Sequence, residues 1–102
     1  MGLFTCDYTS TAMTTAKRFN ISGQVQGVGY RYFACRAAET CGVAGTVRNL
    51  PDGTVEALAE GPESAVAAFR AELERGPRAG RVDRVVEEPA PVAGHTSFRV
   101  IF

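Results

Sequence analysis

Arg31 directly follows a short run carrying two glycines, Gln26-Gly27-Val28-Gly29-Tyr30, placed where a strand-like alternation gives way to a helix-like pattern. Glycine reaches backbone angles closed to other residues, so such a turn can aim successive N–H groups into one concavity. The first turn of a helix adds N–H groups without partners inside the helix, together with the positive end of its dipole. These are the parts of an anion site. A guanidinium at its edge offers two parallel donors matched to phosphate oxygens. Because a cation at a helix start opposes the dipole, Arg31 is expected to face an anion rather than solvent alone. Gln26, Gly27, Val28, Gly29, Tyr30 and Arg31 therefore read as a phosphate cradle. Asn49 is the second candidate: its carboxamide both donates and accepts, and can orient a water without acting as a base. Closing a turn suits Asn49 equally well.

The elements that must position these residues follow from periodicity. Alternation over Lys17 to Val25 predicts a first strand, and Phe33, Ala34, Ala37, Ala38 and Cys41 give one apolar face to a helix from about Tyr30 to Thr40, capped by Gly42. Val43 to Leu50 predicts a second strand, Pro51-Asp52-Gly53 a turn, and Thr54 to Glu60 a third strand, with Val55, Ala57 and Ala59 inward and Glu56 and Glu60 on a solvated face. Pro62 reads as the first position of a second helix, along which Val66, Phe69 and Leu73 recur before Gly76-Pro77 ends it. Strands from Arg81 to Glu88 and from Thr96 to Phe102 complete the order βαββαββ. That order is the split βαβ arrangement of a ferredoxin-like α/β sandwich, an α+β fold with two helices on one face of an antiparallel sheet of four to five strands. Strands one and two then run the same way with strand three between them. Their C-terminal ends emerge at one edge roughly 10 Å apart, which brings Arg48, Asn49 and Leu50 beside the cradle.

The 102 residues suffice for one domain, expected over 17–102 behind a Thr- and Ser-rich tail over 1–16, with Met13 an alternative start. Eleven basic and eleven acidic residues balance, which argues against nucleic acid as a partner. An RNA-binding ferredoxin-like domain would also need an aromatic, basic motif on strands one and three, and neither has one. No apolar run is long enough to cross a membrane, and the N-terminus lacks the basic and hydrophobic blocks of a secretion signal. Cys6 stands where a myristoylation pattern needs Ser or Thr. Cys6, Cys35 and Cys41 lack metal-ligand spacing and read as buried reduced thiols of a cytoplasmic protein. The glycine run is not a nucleotide loop, since no Gly-Lys-Ser/Thr follows it and no downstream acid completes a dinucleotide fingerprint.

Three ordered blocks carry a family likeness: Gly23-Gln24-Val25-Gln26-Gly27-Val28-Gly29-Tyr30-Arg31-Tyr32-Phe33, then Gly45-Thr46-Val47-Arg48-Asn49, then Gly53-Thr54-Val55. The chain resembles the acylphosphatase family over Lys17 to Phe102. The resemblance implies hydrolysis of the carboxyl–phosphate anhydride of small acyl phosphates, with Arg31 binding the phosphate and Asn49 orienting the attacking water. Thr46 stands where an aromatic residue is expected, which would alter the packing beneath Asn49. The residues themselves agree with that chemistry. His95, the sole histidine, sits in a loop far along the chain and reads as a surface residue, so no general acid stands near the cradle. A carboxylate leaving group, with a conjugate-acid pKa of about 4, needs none. Nor does a carboxylate cluster flank the loop to hold Mg²⁺. A metal-free monomer without cofactor is expected, with inorganic phosphate or sulfate competing for the cradle. The alternative is a catalytically silent acyl- or carbamoyl-phosphate-binding module of the same fold.

Overall fold

Period-two alternation produces strand β1 over Thr14–Gln24, with Phe19 and Ile21 fully buried on its inner face. The computed structural model describes residues 14–102. The expected tail is thus shorter at its inner end, because Thr14, Thr15 and Ala16 already pair with Pro62, Gly61 and Glu60. Ladder hydrogen bonds override a Thr- and Ala-rich composition there. The remainder of that tail, and the start considered at Met13, lie outside the described residues.

Helix α1 (Tyr30–Cys41) buries Tyr30, Ala34, Ala37 and Ala38, one stripe at helical spacing, and Gly42 ends it with its N–H on the Ala38 carbonyl. Strands β2 (Ala44–Asn49) and β3 (Val55–Pro62) form the hairpin. Helix α2 (Glu63–Arg75) buries Val66, Phe69 and Leu73; Pro62 sits just ahead of it, at the cap rather than inside the first turn, because it still ends β3. Strands β4 (Arg81–Pro89) and β5 (Phe98–Val100) follow. The five strands lie in the order β4-β1-β3-β2-β5. Both helices pack on the sheet, and the Phe69 ring meets Phe19 and Phe98 edge-on at 6.2 and 5.4 Å. This is the expected ferredoxin-like sandwich with one correction. The last strand spans three residues, not seven, and pairs parallel to β2, so the sheet is mixed rather than wholly antiparallel.

The outer face of the sheet carries an ionic ladder in strand order: Arg48 to Glu56 at 2.8 Å, Glu56 to Arg18 at 3.7 Å, and Arg18 to Glu88 at 3.2 Å. Glu60 departs from this pattern and from the solvated face expected for it. It is 5% exposed, and its carboxylate accepts the N–H groups of Ala93, Gly94 and His95 as that loop folds over it. Burial pushes the Glu60 carboxyl up, but the three donors and the nearby His95 outweigh it and hold the group below its ordinary value. A folded-state pKa below the unfolded one means fewer protons bound when folded. The stabilisation is then present above the ordinary glutamate value and is lost as the pH falls through the lower folded-state value. Glu60→Gln should cost about 1–3 kcal/mol at neutral pH and remove part of the acid-side fall in stability. Urea midpoints measured against pH check this; parallel curves for the two proteins would deny the carboxylate its latching role.

Candidate active site

After Val25, itself buried, the chain makes the turn Gln26–Gly29 and enters α1 at Tyr30. Gly27 and Gly29 both take left-handed backbone angles, each with φ of 77°. A Cβ at either would meet nothing within 4 Å, so the demand for glycine is conformational rather than steric, at roughly 1–2 kcal/mol for another residue. The first bond into the helix runs from the Phe33 N–H to the Gly29 carbonyl at 3.0 Å. The N–H groups of Gly29, Tyr30, Arg31 and Tyr32 therefore have no partner within α1. No acidic residue occupies its first turn, leaving the positive end of the dipole unneutralised.

Those groups border a cavity of about 420 Å³ lined by Gly27, Gly29, Tyr30 and Arg31 from the loop and helix start and by Asn49 from the end of β2. The same-edge geometry expected from the topology holds: Ile21 of β1 and Asn49 of β2 both register against Val55, the first residue of β3. Among the described residues Arg31 has no ion pair; its guanidinium lies 5.6 Å from the centroid of the Phe102 ring. The Asn49 side chain likewise has no hydrogen bond to protein among the described residues. Arg31 and Asn49 thus line one cavity, their side-chain polar atoms without hydrogen-bond or ion-pair partners among the described residues.

Three of the expected cradle residues serve differently. Tyr30 is 1% exposed and donates its hydroxyl to the Leu73 carbonyl at 2.7 Å, so its backbone is what it can offer an anion. Burial drives its phenol above the ordinary tyrosine value. Val28 packs against the core and is not among the cavity's lining residues. Gln26 does not line it either: its amide donates to the carbonyls of Leu50 and Thr54 at 2.8 and 2.9 Å. Thr46 lies between buried Gly45 and Val47, on the opposite face of β2 from Asn49, so the departure from the family pattern falls outside the site.

Sequence reasoning missed the far wall, made by Tyr32, Cys35, Val100 and Phe102. Tyr32 and Cys35 follow Arg31 by one and four residues, a spacing that places Cys35 on Arg31's side of the helix. Val100 and Phe102 arrive through the parallel pairing of β5 with β2, which no local pattern announces. Cys35 and Cys41 are half-buried free thiols rather than fully buried ones. Burial, then Glu39, pushes the Cys35 thiol up, which keeps it protonated and a poor nucleophile. His95 is not the free surface residue expected. Its ring is 4.0 Å from Glu60, near the end of β3 away from Val55 and hence away from the cavity. Among the described residues no group of three or more His, Cys, Asp or Glu side chains is placed to hold a metal ion. No helix there is long and apolar enough to cross a membrane.

Open N–H groups at a helix start, with an arginine and an asparagine on the same sheet edge, make an α+β sandwich with the arrangement that a phosphate-handling protein would use. Comparison with known proteins narrows that class. The acylphosphatase family model matches residues 17–100. An acylphosphatase of Koribacter versatilis is 47% identical over 91 residues, covering 88% of this chain and 83% of that one. The acylphosphatase structure from Bacillus subtilis superposes with a TM-score of 0.84 at 36% identity, covering 88% of this chain and all of that one. The acylphosphatase structure from Coxiella burnetii superposes at 0.85 and 32% identity, covering 90% and 97%. The chain belongs to the acylphosphatase family.

Proposed function

We propose that this protein hydrolyses the carboxyl–phosphate bond of small acyl phosphates to a carboxylate and inorganic phosphate. Arg31 and the N–H groups of the Gly27–Arg31 segment hold the phosphoryl oxygens, and Asn49 orients the water that attacks phosphorus in line with the leaving oxygen. The observation that carries this reading is that Arg31 and Asn49, both uncommitted, line the same cavity as the open end of α1. The chemistry asks for little more. In phosphoryl transfer, negative charge spreads over the equatorial oxygens, so positioning and fixed donors supply most of the catalysis. The bond to phosphorus breaks with its electron pair leaving on the carboxylate. That group, with a conjugate-acid pKa of about 4, departs without a proton. The same reading has the enzyme working as a monomer in the cytoplasm, every group it invokes coming from one chain, which sedimentation velocity would check.

The direct test is phosphate release from benzoyl phosphate with a chelator present. Inorganic phosphate and sulfate present the same tetrahedral oxygens to the cradle and are expected to inhibit competitively. Phosphate at a hundred times its Kd should add about 2.7 kcal/mol of stability, a rise in Tm of roughly 10–20 °C for a domain of this size. Noncompetitive inhibition, or an unchanged Tm at saturating phosphate, would count against the cradle.

A further inference from the structure

We propose that Gln26 is a positioning residue that sets the distance between the phosphate cradle and Asn49, a role that rests on the reading of the site given above. Beyond Val55 the sheet has no ladder left to hold the ends of β1 and β2 together, because β3, the strand between them, begins there. The cradle and the Leu50–Thr54 turn both project past that point. Gln26 spans the gap. Its single NH₂ group donates one hydrogen to the carbonyl of Leu50, the residue after Asn49, and the other to the carbonyl of Thr54.

The turn it grips is itself rigid. Leu50 donates its N–H to the Thr54 carbonyl at 2.8 Å and Gly53 donates its N–H to the Leu50 carbonyl at 3.1 Å. Thr54 gives both its N–H and its hydroxyl to Asp52, and Asn20 of β1 donates to the Thr54 hydroxyl oxygen at 3.0 Å. These bonds shape the turn and tie it to β1. Among the described residues, Gln26 is the cradle side chain that joins it. Gln26 fixes the Leu50 carbonyl and hence the Leu50–Pro51 peptide plane, while the Leu50 N–H bond to Thr54 fixes the Asn49–Leu50 plane, so the gripped turn sets where the Asn49 carboxamide stands relative to a phosphate in the cradle. Substitution of an amide with two donors by a carboxylate would set oxygen against two carbonyl oxygens.

The test compares Gln26→Ala, Gln26→Met and Gln26→Glu on benzoyl phosphate, with circular dichroism to confirm folding. Because a misplacement of about an ångström can cost 10²-fold in rate, kcat is expected to fall on the order of 10–100-fold in the Ala and Met variants. The competitive Ki of phosphate should stay within about threefold, as befits a defect felt mainly in the transition state. In an Asn49→Ala background the Gln26→Ala loss should largely vanish, since the group being positioned is already gone. Activity of Gln26→Glu relative to wild type should rise as the pH falls, because the protonated carboxyl recovers one donor. A merely structural Gln26 would lower Tm in either background while leaving kcat per folded molecule unchanged, and would show no such pH rescue. Any of these results overturns the proposal. If wild type fails to release phosphate, or Asn49→Ala keeps full turnover, the reading of the site fails instead. Full turnover in the Ala and Met variants beside an inactive Asn49→Ala refutes the positioning role alone.

Discussion

Replacing Arg31 by lysine is expected to lower kcat/KM on the order of 10³-fold or more while the protein stays folded. Lysine preserves the charge but presents a single rotating ammonium in place of the planar fork that matches two phosphate oxygens. Among the described residues the guanidinium has no ion pair, and its ring contact is with Phe102, 5.6 Å from the centroid, so lysine breaks no salt bridge there. Competitive binding of inorganic phosphate should weaken along with turnover, because Arg31 contacts the ground state as well as the transition state. Wild-type turnover in a variant with normal circular dichroism would remove Arg31 from the mechanism.

Asn49→Ala is expected to separate the two effects. The β2–β3 ladder uses Asn49 only through its backbone, paired with Val55, so alanine keeps the strand. If the carboxamide orients water, kcat drops on the order of 10²–10³-fold, as when one preorganised donor is lost elsewhere, and phosphate affinity stays nearly unchanged. If Asn49 only closes a turn, Tm falls and the rate per folded molecule does not. Weakened phosphate binding would place it among the holding groups instead. Steady-state kinetics, phosphate titration and thermal melts on one preparation distinguish the three.

What could be read from the sequence was whatever is local or fixed by topology. The glycine pair before α1, the alternation of Phe19 and Ile21, and the helical spacing of Val66, Phe69 and Leu73 are short-range patterns, and each sits where its period required. The meeting of Arg31 with Asn49 was legible because the strand order alone dictates a shared edge. The misses are contacts between distant segments. Glu60 obeys the outward parity of β3 yet is buried, because the 93–95 loop covers it and supplies three donors. The partners of Gln26 lie across a gap that no periodicity describes, and a glutamine between a strand and a glycine looks like one more cradle residue. β5 runs parallel to β2 because the chain crosses to the far edge of the sheet before pairing, and a short edge strand leaves little alternation to read.

The register also bears on how the chain reaches its native state. One pair of strands adjacent in sequence, β2 and β3, can zip locally. β1 must instead find β3 and, on its other side, β4, setting Lys17 opposite both Ala59 and Pro89. Contacts so remote along the chain lose loop-closure entropy before any pairing repays it, which places folding toward the slow end for a domain of this length. The hairpin can present Asn49 early, but the cradle hangs from the end of β1 and comes alongside only when that central strand docks. Hydrolytic activity should therefore return late in refolding, after the helical circular dichroism signal, and serve as a reporter of the final assembly of the sheet.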